Sequence, residues 1–403
     1  MAMRNDFFIT AMPSARTGYA GHAFLSAAAC GPALEYHRSF PQYCATPLCR
    51  LDGLAARLGV GRLYVKDESA RFGLNAFKVL GASYAMGRLA AQRLGIPPDA
   101  MRFDTLTSPA VRARLGGLTF VAATDGNHGR GVAWTAGQMG CGAVIYMPKG
   151  TAQERVDNIL ALGAQVQVLN LNYDGCVRLA RDHARERGWM IIQDTAWPGY
   201  EDIPRHIMQG YATMVLEALA QLGDERPTHV LLQAGVGSLA AAVSGLIAGG
   251  SRAEEPLIVT VEPNKADCIF RTAQADDNRL HAVTGSMDTI MAGLACGEVN
   301  PIAWDVLTAT ASWAASCPEW TAAEGMRMLA SGTDGDDVIV SGESGAAPVG
   351  FLSAVMRLPR LSGIRNRLGL GKDSRVLCFS TEGATDQKNY DNIVQGGAYP
   401  SEK

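Results

Sequence analysis

The sequence predicts an α/β fold in which mostly parallel sheets are covered by helices on both faces. Three observations support this prediction. From about residue 118 to the end of the chain, short apolar runs alternate with helical stretches. The 403 residues favour two domains rather than one. The 45 glycines fit a fold with many turns between strands and helices, where the backbone bends sharply or approaches a ligand.

Runs rich in β-branched residues define the predicted strands, and helical stretches separate them. The strands are predicted at 62–66, 118–123, 143–147, 165–169, 190–193, 229–233, 257–262 and 375–379. Helices are predicted from about 129, at 152–162, at 174–187 and from 240 onwards. Three segments lack such patterns and are expected to be an arm at 1–42, an irregular insertion at 96–117 and a surface loop at 331–337.

Composition and charge limit the classes of function. Hydrophobic residues make up 47% of the chain, charged residues 19%, and the formal net charge is -3. This balance is typical of a globular protein and gives no reason to expect nucleic acid or membrane partners. Residues 1–20 lack the pattern of a secretory signal, so we expect a cytoplasmic protein. The nine cysteines show no metal-binding spacing, and pairing of Cys268 with Cys296 stays open.

Lys78 lies alone among small and apolar residues in the segment Asn-Ala-Phe-Lys-Val-Leu-Gly-Ala (75–82). A lone lysine usually belongs to the surface, but Phe77 and Val79 leave this one little contact with solvent. Burial disfavours the charged ammonium, and an uncharged amine is what a Schiff base requires. Together with the polar loop at 124–131, the segment predicts pyridoxal phosphate as the cofactor, bound through Lys78.

A second glycine-rich turn, Gln-Ala-Gly-Val-Gly-Ser-Leu (233–239), joins a predicted strand to a helix of small residues. Main-chain amides at the start of a helix bind phosphate. The turn lacks the ending of a nucleoside triphosphate loop and the glycine spacing of a dinucleotide fingerprint. We therefore expect the phosphate of the cofactor to bind at Gly235, Val236, Gly237, Ser238 and Leu239.

Two aspartates follow predicted strands, at the edge where ligands bind in parallel sheets. Asp125 lies in the loop Thr-Asp-Gly-Asn-His-Gly-Arg-Gly (124–131), where Asn127 could donate to the phenolic oxygen of the cofactor. In the same loop His128 fits a structural role better than that of a base. Asp194 lies in a second acidic turn. Either aspartate could instead cap a helix or loop, but together they could provide a carboxylate on each side of the substrate.

Hydroxyl side chains follow the last predicted strand, in Phe-Ser-Thr-Glu-Gly-Ala-Thr-Asp (379–386). A neutral hydroxyl facing the pyridine nitrogen leaves it unprotonated and makes the ring a weak electron sink. A weak sink suits β-elimination, because the departing group takes the electrons. We expect Ser380 at the nitrogen, with Thr381 and Thr385 as alternatives. Glu343 and Ser344 are further candidates for lining the cofactor edge.

These segments resemble the fold type II (tryptophan-synthase-β-like) pyridoxal phosphate enzymes over residues 46–386. Serine and threonine dehydratases, cysteine synthases and diaminopropionate ammonia-lyases share this layout. Dehydratases usually carry Ser or Asn where this chain has Asp125. The segments at 75–82, 124–131 and 380–386, with the turn that contains Asp194, look like diaminopropionate ammonia-lyases.

The resemblance implies two open, twisted, mostly parallel sheets with the cofactor in the cleft between two domains. The large domain would comprise 1–83 and 191–403, and 84–190 would be a small inserted domain. It also implies a homodimer that converts 2,3-diaminopropionate to pyruvate and two ammonia molecules. The roles of catalytic residues would fall to Lys78, Asp125 and Asp194.

The substrate gives a physical reason for the aspartates. Its β-ammonium needs a carboxylate, such as Asp125 or Asp194, which the hydroxyl of serine does not. If Lys78 and Asp125 are bases on opposite faces, both the D and the L enantiomer would react. Two alternatives remain, a serine/threonine dehydratase and a non-catalytic metabolite-binding relative. The intact Lys78 argues against the second.

Overall fold

The structure is a computed structural model that describes residues 6–13, 21–124, 126–248 and 255–402. Within these ranges it has eleven β-strands and sixteen α-helices. The strands are β1 (Phe8–Ala11), β2 (Leu48–Arg50), β3 (Arg62–Asp67), β4 (Thr119–Ala123), β5 (Gly142–Pro148), β6 (Gln165–Leu169), β7 (Met190–Ile191), β8 (His229–Gln233), β9 (Leu257–Pro263), β10 (Trp313–Cys317) and β11 (Arg375–Ser380). The helices are α1 (Ala27–Arg38), α2 (Asp52–Leu58), α3 (Lys78–Leu94), α4 (Phe103–Leu106), α5 (Pro109–Leu115), α6 (Asn127–Met139), α7 (Gln153–Leu160), α8 (Tyr173–Arg187), α9 (Asp202–Leu222), α10 (Ser238–Ile247), α11 (Cys268–Ala275), α12 (Pro301–Thr310), α13 (Trp320–Ala330), α14 (Glu343–Arg357), α15 (Ser362–Leu368) and α16 (Gln387–Val394).

The strands of the described ranges form two sheets. The larger sheet has the order β1-β10-β9-β8-β11-β3-β2, and its strands from β10 to β3 are parallel. Its edge strands β1 and β2 pair antiparallel with their neighbours. The smaller sheet, β6-β5-β4-β7, is entirely parallel. The predicted fold class, with two mostly parallel sheets and helices between the strands, is confirmed.

Continuous apolar runs explain the central strands. β8, with the sequence His-Val-Leu-Leu-Gln, is buried at all five positions, because helices cover both faces of a parallel sheet. One close helix contact also positions the start of α3. A Cβ at Gly210 in α9 would lie 2.3 Å from the carbonyl oxygen of Leu80, so only glycine allows this approach. The contact fixes the helical turn that begins at Lys78 against α9.

The structure differs from the sequence-based expectations at the sheet edges. The segment expected as an arm at 1–42 contains β1, which pairs with β10, and α1, which packs on α9. Both β1 and β10 are short, and β10 (Trp-Ala-Ala-Ser-Cys) has no β-branched residue, so neither gives a strong strand pattern. The expected irregular insertion at 96–117 contains the short helices α4 and α5.

All strands of the smaller sheet come from one continuous stretch, from β4 to β7. The division into a large domain of 1–83 and 191–403 and a small domain of 84–190 stays a prediction. None of the helices in the described part of the chain has the length and apolar composition of a membrane span.

Candidate active site

Lys78 is the first residue of α3, and its side chain enters a cavity between the two sheets. Its Nζ donates a hydrogen bond to Oδ2 of Asp194 at 2.6 Å. The Lys78 side chain is 18% exposed and that of Asp194 only 3%. An uncharged, desolvated amine was expected at Lys78, whereas the amine is largely buried and paired with a carboxylate.

Asp194 follows the smaller sheet and is held at both carboxylate oxygens. Tyr173 donates from its hydroxyl to Oδ1 at 3.1 Å, while Lys78 occupies Oδ2. Burial alone would raise the pKa of Asp194, but the charge of Lys78 and the hydrogen bonds from Lys78 and Tyr173 keep that pKa well below its usual range. Asp194 is therefore an anion fixed in orientation beside the amine.

A chain of hydrogen bonds connects this pair to the smaller sheet. Nε2 of Gln193 donates to the hydroxyl of Tyr173 at 2.8 Å. The same carboxamide pairs with the main chain of Ala123, accepting at 3.0 Å and donating at 3.1 Å. The last residue of β4 thus fixes Gln193, which fixes Tyr173, which orients Asp194.

His128 lines the cavity and is buried. Its Nε2 is 2.8 Å from the carbonyl oxygen of Ile192. Burial, followed by the charge of Lys78, lowers the pKa of His128, although Asp194 opposes the shift. A neutral imidazole bonded to the main chain agrees with the structural role expected for this residue.

The loop before α6 contains Asp125, which lies outside the described residues. The next predicted site residue, Asn127, is the first residue of α6 and lines the cavity. Its Nδ2 donates to Oε2 of Glu382 at 2.5 Å. The other oxygen of Glu382 accepts from the main-chain amide of Ser344 at 3.0 Å. Asn127, Glu382 and Ser344 therefore form one cluster on the wall of the cavity.

The predicted phosphate loop lies in the same cavity as Lys78. Gly235, Val236, Gly237, Ser238 and Leu239 all line it, and α10 begins at Ser238. The first amides of a helix have no acceptor within the helix, so they are available to an anion. Gly237 has a φ of 98°, and its Cβ would lie 3.2 Å from the side chains of Ala303 and Ile269. Ser238 also donates to the carbonyl oxygen of Asp194 at 2.5 Å.

The three hydroxyl candidates occupy different positions. Thr381 lines the cavity, and its Oγ1 accepts from Nε2 of Gln233 at 2.7 Å. Ser380 is buried at the end of β11, and its hydroxyl donates to Ser341 at 2.8 Å. The hydroxyl of Thr385 is buried without a hydrogen-bond partner among the described residues. Thr381 is thus the candidate whose contact with the cavity is direct.

The remaining candidate residues do not all line the same cavity. Ser344 lines the cavity and accepts from the amide of Gly293 at 3.1 Å. Glu343 faces a neighbouring cleft, where Asn389 donates to it at 2.5 Å. Cys268 and Cys296 are not joined by a disulfide, and Cys296 lines the cavity.

Sequence reasoning missed two residues. Tyr173 begins α8, far from any motif, and only the fold brings it to Asp194. Glu382 lies in the segment 379–386, which was selected for its hydroxyl side chains. The acidic residue between Thr381 and Gly383 could have indicated a carboxylate in the cavity.

The arrangement fits pyridoxal phosphate. A lysine amine, a helix start with open amides and the donor Asn127 border a single cavity. These are the groups that a carbonyl, a phosphate monoester and a phenolic oxygen require. Fold and site together define a pyridoxal phosphate-dependent enzyme.

Comparison with known proteins leads to the same class. The family model described as "Pyridoxal-phosphate dependent enzyme" matches residues 40–368. The diaminopropionate ammonia-lyase of Escherichia coli (strain K12) is 48% identical over 369 residues, which cover 91% of this chain and 91% of the relative. The chain belongs to the diaminopropionate ammonia-lyase family of these enzymes, and pyridoxal phosphate as cofactor is confirmed.

Solved structures of the Escherichia coli enzyme superpose on nearly the whole chain. The complex with an aminoacrylate-PLP azomethine reaction intermediate gives a TM-score of 0.89 at 44% identity and covers 99% of both chains. The complex with D-serine gives a TM-score of 0.90 at 43% identity, covering 99% of this chain and 100% of that chain.

Proposed function

We propose that this ammonia-lyase converts both the D and the L enantiomer of 2,3-diaminopropionate to pyruvate and two ammonia molecules. The observation that carries the proposal is the pair of Lys78 and Asp194, 2.6 Å apart, in the cavity that the phosphate-binding helix start also borders. The relatives named above support the choice of substrate over serine or threonine.

The bound cofactor supplies an electron sink that labilises the Cα proton of the substrate. Lys78 would hold the cofactor, and its amine, when not bonded to the cofactor, would take that proton from one face. Asp194 keeps the lysine nitrogen in place, and Tyr173 keeps Asp194 in place. Asn127 and the loop at 235–239 orient the cofactor through its phenolic oxygen and its phosphate.

Reaction of both enantiomers requires a second base on the opposite face. We assign this role to Asp125, on the argument that a single lysine serves one face only. Asp125→Asn tests the assignment when each enantiomer is assayed separately. Loss confined to one enantiomer supports two bases, whereas equal residual activity on both would contradict the assignment.

The substrate assignment is tested by measuring pyruvate and ammonia released from D- and L-2,3-diaminopropionate, L-serine and L-threonine. Wild type and Lys78→Ala are compared. We expect two ammonia molecules per pyruvate from diaminopropionate, and none from the variant. Turnover of serine or threonine alone would move the function to a dehydratase. Absence of turnover on all four would mean a different substrate or a binding protein.

Two further expectations remain proposals. The homodimer is tested by light scattering on the purified holoenzyme, where a mass of one chain would contradict it. The cytoplasmic location is tested by fractionating cells that express the full chain.

A further inference from the structure

Glu382 is a carboxylate of the active-site cavity that the proposed mechanism does not use. The residue is 2% exposed and lines the same cavity as Lys78 and Asp194. One oxygen accepts from Nδ2 of Asn127 at 2.5 Å and the other from the amide of Ser344 at 3.0 Å. Both donors are neutral.

The position of Glu382 is fixed by its main chain. Glu382 forms an antiparallel bridge with Ala76, two residues before Lys78. Its carbonyl oxygen accepts from the amide of Gly342 at 2.9 Å, and the next amide, that of Gly383, donates to Asn75 at 2.9 Å. The carboxylate is therefore held near the turn that presents the lysine.

Glu382 has no cationic partner among the residues that the structure describes. In the described ranges, no Lys, Arg or His nitrogen lies within the 4.0 Å limit of an ion pair with it. The other carboxylates around the site differ, because Asp194 is paired with Lys78 and Glu343 lies 3.9 Å from Arg155. A buried carboxylate without a cation is unfavourable, and it has about four acceptor positions, of which two are used here.

We infer that Glu382 determines substrate specificity by accepting the β-ammonium of the substrate. This inference rests on the proposed function. Diaminopropionate brings into the cavity the cation that the described residues do not provide, and a charge-assisted hydrogen bond to Glu382 would stabilise it. The neutral β-hydroxyl of serine would leave the carboxylate without a cation, so the same residue disfavours the dehydratase reaction. Asp194, which already has a cation, is less suited to this role.

The test distinguishes two roles of Glu382, binding of the charged β-ammonium of the substrate and positioning of Asn127 through their hydrogen bond. Glu382→Gln is compared with wild type on 2,3-diaminopropionate, whose leaving group is charged, and on 3-chloroalanine, whose leaving group is not. We expect kcat/KM for diaminopropionate to fall about 10- to 100-fold, mainly through KM, because a hydrogen bond between charged groups is lost. For 3-chloroalanine we expect a change of less than about threefold, since no charged pair is removed.

Glu262→Gln is the matched control. Glu262 is also buried and also accepts from two main-chain amides, those of Ile269 at 2.8 Å and Phe270 at 2.7 Å, but it does not line the cavity. We expect it to leave the ratio of the two substrates unchanged. Glu382→Asp keeps the negative charge, so it should keep part of the preference for diaminopropionate that Glu382→Gln loses. This second variant keeps the inference testable if Glu382→Gln folds poorly. Titration of each variant with cofactor, followed by visible absorption, checks cofactor affinity independently of activity.

Equal losses on both substrates would overturn the inference and leave Glu382 with a positioning role through Asn127. An unchanged kcat/KM for diaminopropionate would also overturn it. If the wild type turns over 3-chloroalanine but not diaminopropionate, the proposed function fails and the inference fails with it. The behaviour of the wild type thus distinguishes the two failures.

Discussion

Removing the hydroxyl of Tyr173 tests the hydrogen-bond chain that orients Asp194. Tyr173→Phe deletes the donor to Oδ1 at 3.1 Å and leaves the ring in place. It also removes one of two acceptors from Nε2 of Gln193, which keeps its bond to Ala123 at 3.1 Å. The carboxylate of Asp194 keeps the amine of Lys78 but can rotate about that single contact.

The magnitude follows from the charge of the acceptor. A hydrogen bond to a charged group contributes about 1.5 to 3 kcal/mol, and Asp194 keeps its stronger partner, so we take the lower half of that range. At about 1.4 kcal/mol per decade, this predicts a fall in kcat of about 10- to 40-fold. The acid limb of the pH profile should hardly move, because Lys78 still keeps the pKa of Asp194 well below its usual range.

Tyr200→Phe is the matched control, since that hydroxyl accepts from the amide of Gln193 at 2.8 Å and donates to Ile191 at 2.9 Å without contacting the carboxylate of Asp194. Its kcat should stay within about threefold of wild type even if stability falls, because it bonds only to neutral groups. Steady-state kinetics with diaminopropionate and thermal unfolding measure both variants. A kcat for Tyr173→Phe equal to that of the control would refute the orienting role.

Three further predictions concern pH, buried charge and the phosphate loop. Burial, followed by the charge of Glu298, raises the pKa of Asp174 to about 6. The contribution of Asp174 to stability is therefore complete below the pKa that an aspartate has in the unfolded chain, and it is lost as the pH rises from there to about 6. Asp174→Asn should therefore be more stable than wild type above about pH 7, by up to about 3 kcal/mol, and lose this advantage near pH 4, as measured by urea unfolding across that range. Replacing the buried Arg71, which is bonded to two glutamates, by Met should cost about 3 to 5 kcal/mol of unfolding free energy, because Glu68 loses its cation and Glu217 keeps only Lys66; a loss below about 1 kcal/mol in urea unfolding would contradict this. Gly237→Ala should weaken cofactor binding about tenfold in absorption titrations, because the φ of 98° costs a non-glycine residue about 1 to 2 kcal/mol. Gly188→Ala, at a φ of 68° with open space around it, should lose stability without changing cofactor affinity.

The central strands could be read from the sequence because their signals are local. β6 and β8 have the predicted bounds, and β3 and β11 each extend one residue further. Asp194, Gly235 and Thr381 each follow the end of a strand and line one cavity. This agrees with the rule that ligands bind at the carboxyl ends of parallel strands. The edge strands β1 and β2 and the short strand β10 beside β1 were missed, because such short strands gain their stability from neighbours that the local sequence does not reveal.

The site shows the same limit at the level of side chains. The segment around Lys78 predicted a buried amine, but its partner Asp194 is 116 residues away and could not be assigned from spacing. The orientation of Asp194 depends on Tyr173, whose own segment gives no catalytic pattern. A motif identifies which groups are available, and only the packing of the two sheets decides which of them meet.

The balance of charge in the cavity connects these observations to the substrate. Among the described residues that line it, Lys78 is the single lysine or arginine, and Asp194 and Glu382 are both carboxylates. Lys78 pairs with Asp194, so among the described residues that line the cavity the two carboxylates outnumber the lysine and leave an excess of negative charge. A substrate with one α-carboxylate and two ammonium groups complements that excess, whereas serine, with one ammonium group, does not. The specificity for a diamine therefore depends on the total charge of the cavity as well as on any single contact.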